Sequence, residues 1–395
     1  MNRPSVAITG IGAISALGTG TAAQLSALRE GRSGIGRLAH LSLPFPELWF
    51  GEVKASNADL ATLAGVEAER SRTVLLGLIA AREALQDAGL GPGADIDLLS
   101  ASTVGGMDRS EAFATGWMAG GVDGIDRAVG HAVGDHAHQL ARHLGLRGRV
   151  TTLSTACSSS ANALMLGAWL IRSGRAEVVL AGGTDALCRF TTEGFRALSA
   201  MDTAPCRPFS ADRGGMNLGE GAAYLVLERS DRAEARGRTP LAWLAGAANT
   251  NDAHHQTATS PEGEGPFQAM REALADAGLP AEQVDLINAH GTGTDNNDGT
   301  EQVAMERLFA TVPPFVSTKS ATGHTLAAAG ALEAVFSVLC MRHDLIPANL
   351  RFGAPIEGLR SAPNTAPRTA SVRTVLSTSF GFGGNDSALV LTATP

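Results

Sequence analysis

Short β-branched runs alternate with Ala-, Leu- and Arg-rich stretches along the whole chain, and this alternation is the strongest constraint on what it can fold into. A strand at 6–9 (VAIT) is followed by helical stretches at 22–29 and at 71–86, the latter stopped near Gly89. Further strands are expected at 150–155, 177–181, 222–227, 284–288 and 389–392. Such a pattern predicts an α/β architecture with largely buried, parallel strands. At 395 residues the chain exceeds an ordinary single core, so two domains or two halves are expected. The charged stretch 228–239 (ERSDRAEARGRT) is the best internal seam, dividing 1–235 from 236–395. No short repeat is present, which argues against a solenoid.

Composition narrows the function classes. A chain that is 44% hydrophobic and 18% charged, with 47 Gly, suits a compact protein rich in tight turns. A net charge of −8 makes no field for nucleic acid or an anionic membrane, so an acidic partner needs a local basic patch. Cys157, Cys188, Cys206 and Cys340 show no CxxC spacing, which argues against a disulfide framework or a zinc cluster. No metal is expected. Residues 1–10 lack a basic segment followed by a signal-type apolar run, and the longest apolar runs, such as 74–81, reach about half a bilayer span. A cytoplasmic protein without a membrane segment is the expectation. Gly10-Ile-Gly12-Ala-Ile-Ser15 half-matches a dinucleotide fingerprint, but Ser15 replaces the third glycine, so a tight strand-to-helix turn is expected there.

Four motifs carry chemistry. Cys157 stands between the 150–155 strand and a helix at 158–172, an elbow that exposes a side chain to the free N–H groups of a helix N-terminus, whose partial positive charge favours a thiolate. A free Cys is also among the most buried residue types, so the elbow alone does not make a nucleophile. His290, in Asn288-Ala-His-Gly-Thr-Gly-Thr294, lies where a strand ends, the usual edge of an α/β active site. Ser317-Thr-Lys-Ser-Ala-Thr-Gly-His324 follows another short apolar stretch and carries Lys319, one of only two lysines (with Lys54), before His324 opens an Ala-rich helix at 327–341. A compact ammonium among hydroxyls suits organising a polar site. His131, His136, His138 and His143 share an expected amphipathic helix without clean metal spacing. Thr378-Ser-Phe-Gly-Phe-Gly-Gly384 joins two strands by a glycine turn that lets backbone approach a ligand, with Phe380 and Phe382 placed to wall an apolar channel.

Together, TACSSS around Cys157, NAHGTGT around His290, KSATGH from Lys319 to His324 and SFGFGG ending at Gly384 resemble the β-ketoacyl-acyl-carrier-protein synthases of the type I/II condensing class, across nearly the whole chain. The resemblance implies a thiolase-like αβαβα layered fold of two similar α/β halves. It implies that Cys157 accepts an acyl group and that His290 and His324 support decarboxylation of malonyl-carrier protein. Lys319 would balance charge with Glu333, and the backbone N–H groups of Cys157 and Phe382 would form an oxyanion hole. Phe382 would gate the site, Thr292 and Thr294 would contact the phosphopantetheine arm, and Phe380 would line the substrate channel. No cofactor is implied beyond that arm on the acyl carrier protein. The implied partners are the carrier protein, docked on a patch including Arg70 and Arg72, and a second subunit, identical or a chain-length factor. Two related roles compete: a non-catalytic chain-length partner should lack the nucleophile, and a thiolase normally has a second cysteine where Phe382 stands. The pattern departs at Pro208-Phe-Ser-Ala-Asp-Arg-Gly-Gly215, which lacks two acids, and at the short, His-rich stretch 105–147. With residues 187–199, that stretch is more similar to synthases of polyene or type II polyketide pathways.

Overall fold

The computed structural model describes residues 5–67, 69–121 and 123–395, so the sequence reading of residues 1–4 lies outside it. The strands are β1 (Val6–Ser15), β2 (Gly18–Thr19), β3 (Asp97–Ala101), β4 (Val150–Leu153), β5 (Val178–Asp185), β6 (Gly221–Arg229) and β7 (Ala242–Asn251) in the first part of the chain. They continue with β8 (Leu286–Asn288), β9 (Phe315–Val316), β10 (Leu345–Ile346), β11 (Arg368–Thr369), β12 (Thr374–Gly381) and β13 (Asn385–Thr392). The main sheet runs β4-β3-β5-β6-β1-β7-β13-β12-β8-β9. Leaving out the short β2, β10 and β11 and counting from its outer edge, each half has the same order of its strands: third, second, fourth, fifth, first. Within the sheet the halves are joined where β1 pairs with β7, Ala7 with Trp243 and Ile8 with Ala242.

Two helices buried nearly all round, Ser159–Arg172 and Ala329–His343, lie between the halves and fill the central core with Leu164, Leu332 and Phe336. Arg72–Asp87 covers the outer face of the first half and Glu264–Ala277 that of the second, each over its own apolar cluster. The result is the five-layered arrangement of the expected thiolase-like fold. The Leu326–His343 stretch is apolar enough to span a membrane but is 89% buried, as the central helix of this sandwich must be.

Two expectations are corrected. The sheet is mixed, since β1, β6, β7 and β13 pair antiparallel with their neighbours, and only the β4-β3-β5 and β9-β8-β12 groups are parallel. Both faces of every central strand are covered, and such burial erases the polar alternation that distinguishes antiparallel strands in sequence. Nor is 10–15 a turn: it is the second half of β1. A Cβ on Gly12 would stand 2.1 Å from the Ala80 carbonyl oxygen, so the glycine is there to let the Arg72–Asp87 helix lie directly on the strand.

Candidate active site

The functional side chains gather at the C-terminal ends of parallel strands. Cys157 follows the third strand of the first half and Lys319–His324 the third strand of the second, so the internal repeat brings these two loops face to face. Ala156 is held at φ 53°, a conformation rarely adopted outside glycine, and this turns the chain sharply into the helix beginning at Ser159. The turn is clamped from the other half: Asn385 Oδ1 accepts from Ser158 Oγ at 2.6 Å and from Asn162 Nδ2 at 2.8 Å. Sequence reasoning missed Asn385, whose nearest warning was its place just after the glycine turn.

His290 follows β8. Its backbone N–H donates to Glu301 Oε1 and that of Gly291 to Glu301 Oε2, both at 2.8 Å, so one buried carboxylate fixes the loop. Asp185 does the same for the other loop, accepting from Val104 N–H at 3.0 Å and Ala327 N–H at 2.9 Å. Neither acid was singled out from sequence, because the signal in each case is a contact between distant segments. The two imidazoles stand edge to face with centroids 5.4 Å apart. Cys157 Sγ and a nitrogen of each ring lie within 4.8 Å of one another. His324 Nδ1 accepts from Leu326 N–H at 3.2 Å, which places the proton of the neutral ring on Nε2. His324 Nε2 and His290 Nδ1 have no protein hydrogen-bond partner among the described residues, so both rings keep polar atoms free for a ligand.

Lys319 stands behind this pair. Its Nζ donates to the His290 carbonyl oxygen at 2.6 Å and to Glu333 Oε1, with both side chains 2% exposed. It does not line the cavity, so it acts through His290 and through its charge. Burial, helped by the Lys319 charge, holds both histidines well below their usual pKa, and they are neutral at physiological pH. Burial pushes Glu333 up to about 7 against the pull of Lys319. Cys157 is pushed up to about 12 by burial, with Lys319 and the Phe382 backbone N–H pulling the other way. The expectation of a thiolate at the elbow is therefore corrected: desolvation outweighs the favourable charges, and the resting group is a thiol.

A cavity of about 240 Å³ is lined by Cys157, His290, His324, Thr292, Thr294, Phe380 and Phe382 together. Four distant segments thus bring Cys157, the two imidazoles, the Thr292 and Thr294 hydroxyls and the Phe380 and Phe382 rings to one place. The Phe382 backbone N–H reaches the Cys157 sulfur. Arg72 is not part of any docking patch. It is 1% exposed, paired with Glu220 at 2.7 Å and donating to the Val53 and Ala55 carbonyls, because the fold uses it to tie the outer helix to the loop before β6. Arg70 is half-buried and lines a separate cavity with Arg109, Arg127 and Arg142. Of the four grouped histidines, His131 precedes the Asp135–Leu144 helix, and His136 is buried against Ser100 at 2.8 Å.

The sequence matches the model of the beta-ketoacyl synthase N-terminal domain over residues 3–233 and that of the C-terminal domain over 241–353. The chain belongs to the β-ketoacyl synthase family. This synthase is 41% identical to nodulation protein E of Rhizobium meliloti (strain 1021), over 97% of its own length and 98% of that protein. It is 34% identical to 3-oxoacyl-[acyl-carrier-protein] synthase 2 of the same strain, over 98% of each chain. Among solved structures, a chain of the ishigamide ketosynthase/chain length factor superposes with a TM-score of 0.91 at 32% identity, covering 99% of both chains. The synthase is accordingly an acyltransferase, a condensing enzyme of fatty acid or polyketide synthesis.

Proposed function

We propose that the synthase works through Cys157 as a ping-pong decarboxylative condensing enzyme. Cys157 Sγ attacks the thioester of an acyl group on an acyl carrier protein, the carrier's thiol leaves with the proton, and an acyl-Cys157 thioester remains. Malonyl thioester then loses carbon dioxide, its carbon attacks the acyl carbonyl, and the Cys157 sulfur is released as the β-ketoacyl product departs. Two neutral imidazoles suit the second step. Each can donate a hydrogen bond that strengthens as negative charge develops on the thioester oxygen, whereas a fixed cation would also bind the malonyl carboxylate and hold the ground state. The observation that carries this reading is the mutual approach of Cys157 Sγ and the His290 and His324 ring nitrogens, all within 4.8 Å, at one cavity. Cys157 in place argues against a chain-length partner role, and Phe382 in the glycine loop argues against a thiolase.

Thr292 and Thr294, whose hydroxyls lie 2.8 Å apart at the cavity, contact the phosphopantetheine arm in this reading, and Phe380 and Phe382 close the channel. The acidic carrier protein docks on the cluster of Arg70, Arg109, Arg127 and Arg142. A second subunit, identical or a chain-length factor, pairs with the open edge of β4. The halves divide at 235/236, and the enzyme works in the cytoplasm on carrier-bound substrates without a further cofactor. Incubation of Cys157→Ala with acyl- and malonyl-carrier protein should give no acyl-enzyme and no β-ketoacyl product, while His290→Ala and His324→Ala should lose release of labelled carbon dioxide. Condensation by Cys157→Ala at the parental rate would overturn the assignment.

A further inference from the structure

The Phe382 N–H and the Cys157 elbow come from opposite halves of the chain, and two contacts fix how far apart they stand. One residue before Phe382, Gly381 lies so close to the elbow that a Cβ on it would stand 2.9 Å from the Thr155 carbonyl oxygen and 3.2 Å from Ser158 Oγ. Three residues after Phe382, Asn385 Oδ1 accepts from Ser158 Oγ at 2.6 Å and from Asn162 Nδ2 at 2.8 Å, both in the first half, and from Asn249 Nδ2 at 2.8 Å in the second. Ser387 doubles the link by donating to Asn162 Oδ1 at 2.7 Å. Between the two contacts, Gly383 and Gly384 at φ 83° and 74° make the turn that returns Asn385 to the elbow.

The elbow needs such a hold. Ala156 at φ 53° is strained, and a strained residue persists only where its surroundings over-determine it. When Cys157 Sγ attacks a thioester, the new carbon–sulfur bond leaves negative charge on the carbonyl oxygen. The intermediate then collapses by expelling the carrier's sulfur, which takes up the proton that Cys157 gave up. We infer that Asn385 is a positioning residue for this step: by tying Ser158 to the strand after Phe382, its side-chain carbonyl fixes the separation of the Cys157 and Phe382 backbone N–H groups that receive the oxyanion. Those two donors help only if both point at one oxygen, since a hydrogen bond weakens steeply as it bends or lengthens.

The inference rests on Cys157 as the acyl acceptor, and the test separates the two. Acylation by acetyl- or octanoyl-carrier protein and alkylation by iodoacetamide use the same sulfur, but displacement of iodide at a saturated carbon forms no oxyanion. Mass spectrometry of the Cys157 peptide would follow both reactions in single turnover. Deleting one oxyanion donor costs roughly 100-fold or more, so releasing the clamp that aligns two of them predicts that Asn385→Ala lowers the acylation-to-alkylation ratio by about tenfold. Ser158→Ala should lower it in the same direction. Asn385→Asp keeps an acceptor oxygen for Ser158 and Asn162 and should hold the ratio near the parental value. The ratio is internal to each variant, so partial loss of folded protein cancels. A parental ratio in both alanine variants, or a ratio as low in Asn385→Asp as in Asn385→Ala, would overturn the positioning alone. A parent enzyme that is alkylated at Cys157 but takes neither acyl group would overturn the reading of Cys157, and the positioning with it.

Discussion

Replacing Lys319 by Met keeps most of the buried stem and deletes one charge, and the outcome should depend on pH in a way that the buried pair dictates. In the parent, folded Glu333 titrates at about 7, above its unfolded value of 4.5, so the folded chain holds that proton longer than the unfolded chain does. Stability therefore falls as pH rises from 4.5 to about 7, and the slope ends once both states are ionised. Without Lys319 only the Ser379 hydrogen bond still opposes the burial of Glu333, its pKa rises further, and the slope continues upward in pH at about 1.4 kcal/mol per unit. Below pH 7 the variant should lose the two bonds from Lys319 Nζ, to the His290 carbonyl and to Glu333, at about 2 kcal/mol for each charged donor. By pH 9 the gap should widen by roughly 3 kcal/mol, equivalent to about 4 °C in Tm for a chain of this size. Urea and thermal unfolding at pH 6 and pH 9 would measure it, and the Lys319→Met/Glu333→Gln double variant should abolish the pH-dependent part. A gap of equal size at the two pH values would refute the argument.

Cys157 should behave as a buried thiol: its alkylation by iodoacetamide, read by peptide mass spectrometry, should quicken about tenfold per pH unit between pH 7 and 9, since burial pushes the group up to about 12, and a plateau near neutrality would show a preformed thiolate. Arg72→Leu should cost about 3–5 kcal/mol in urea unfolding by stranding Glu220, with no change in the salt dependence of carrier-protein binding. Arg70→Glu and Arg142→Glu should weaken that binding and flatten its salt dependence; unchanged affinity in both would remove the arginine cluster as the docking surface.

Much of the molecule was legible before folding because the signals are local. The helix at 71–86 and the strand at 222–227 fall within a residue or two of Arg72–Asp87 and Gly221–Arg229, since periodicity and caps act over neighbouring residues. The elbow at Cys157 and the glycine turn at Gly383–Gly384 were legible for the same reason: each needs particular residues at adjacent positions. Arg72 shows where local reading stops. It follows the Ser71 that caps its helix, as many exposed arginines do, and only Glu220, 148 residues away, makes it a buried strut.

By itself, then, the sequence determined the alternating elements, the two-half construction and the four motifs that meet at one site. The tertiary structure alone decided the antiparallel strand directions, the anchoring of the elbow by Asn385, 227 residues from Ser158, and the protonation of Cys157. These depend on which distant surfaces exclude water from one another. A helix N-terminus beside a cysteine can be read from adjacent letters, but how completely the folded chain desolvates that sulfur cannot, and here desolvation is the larger effect.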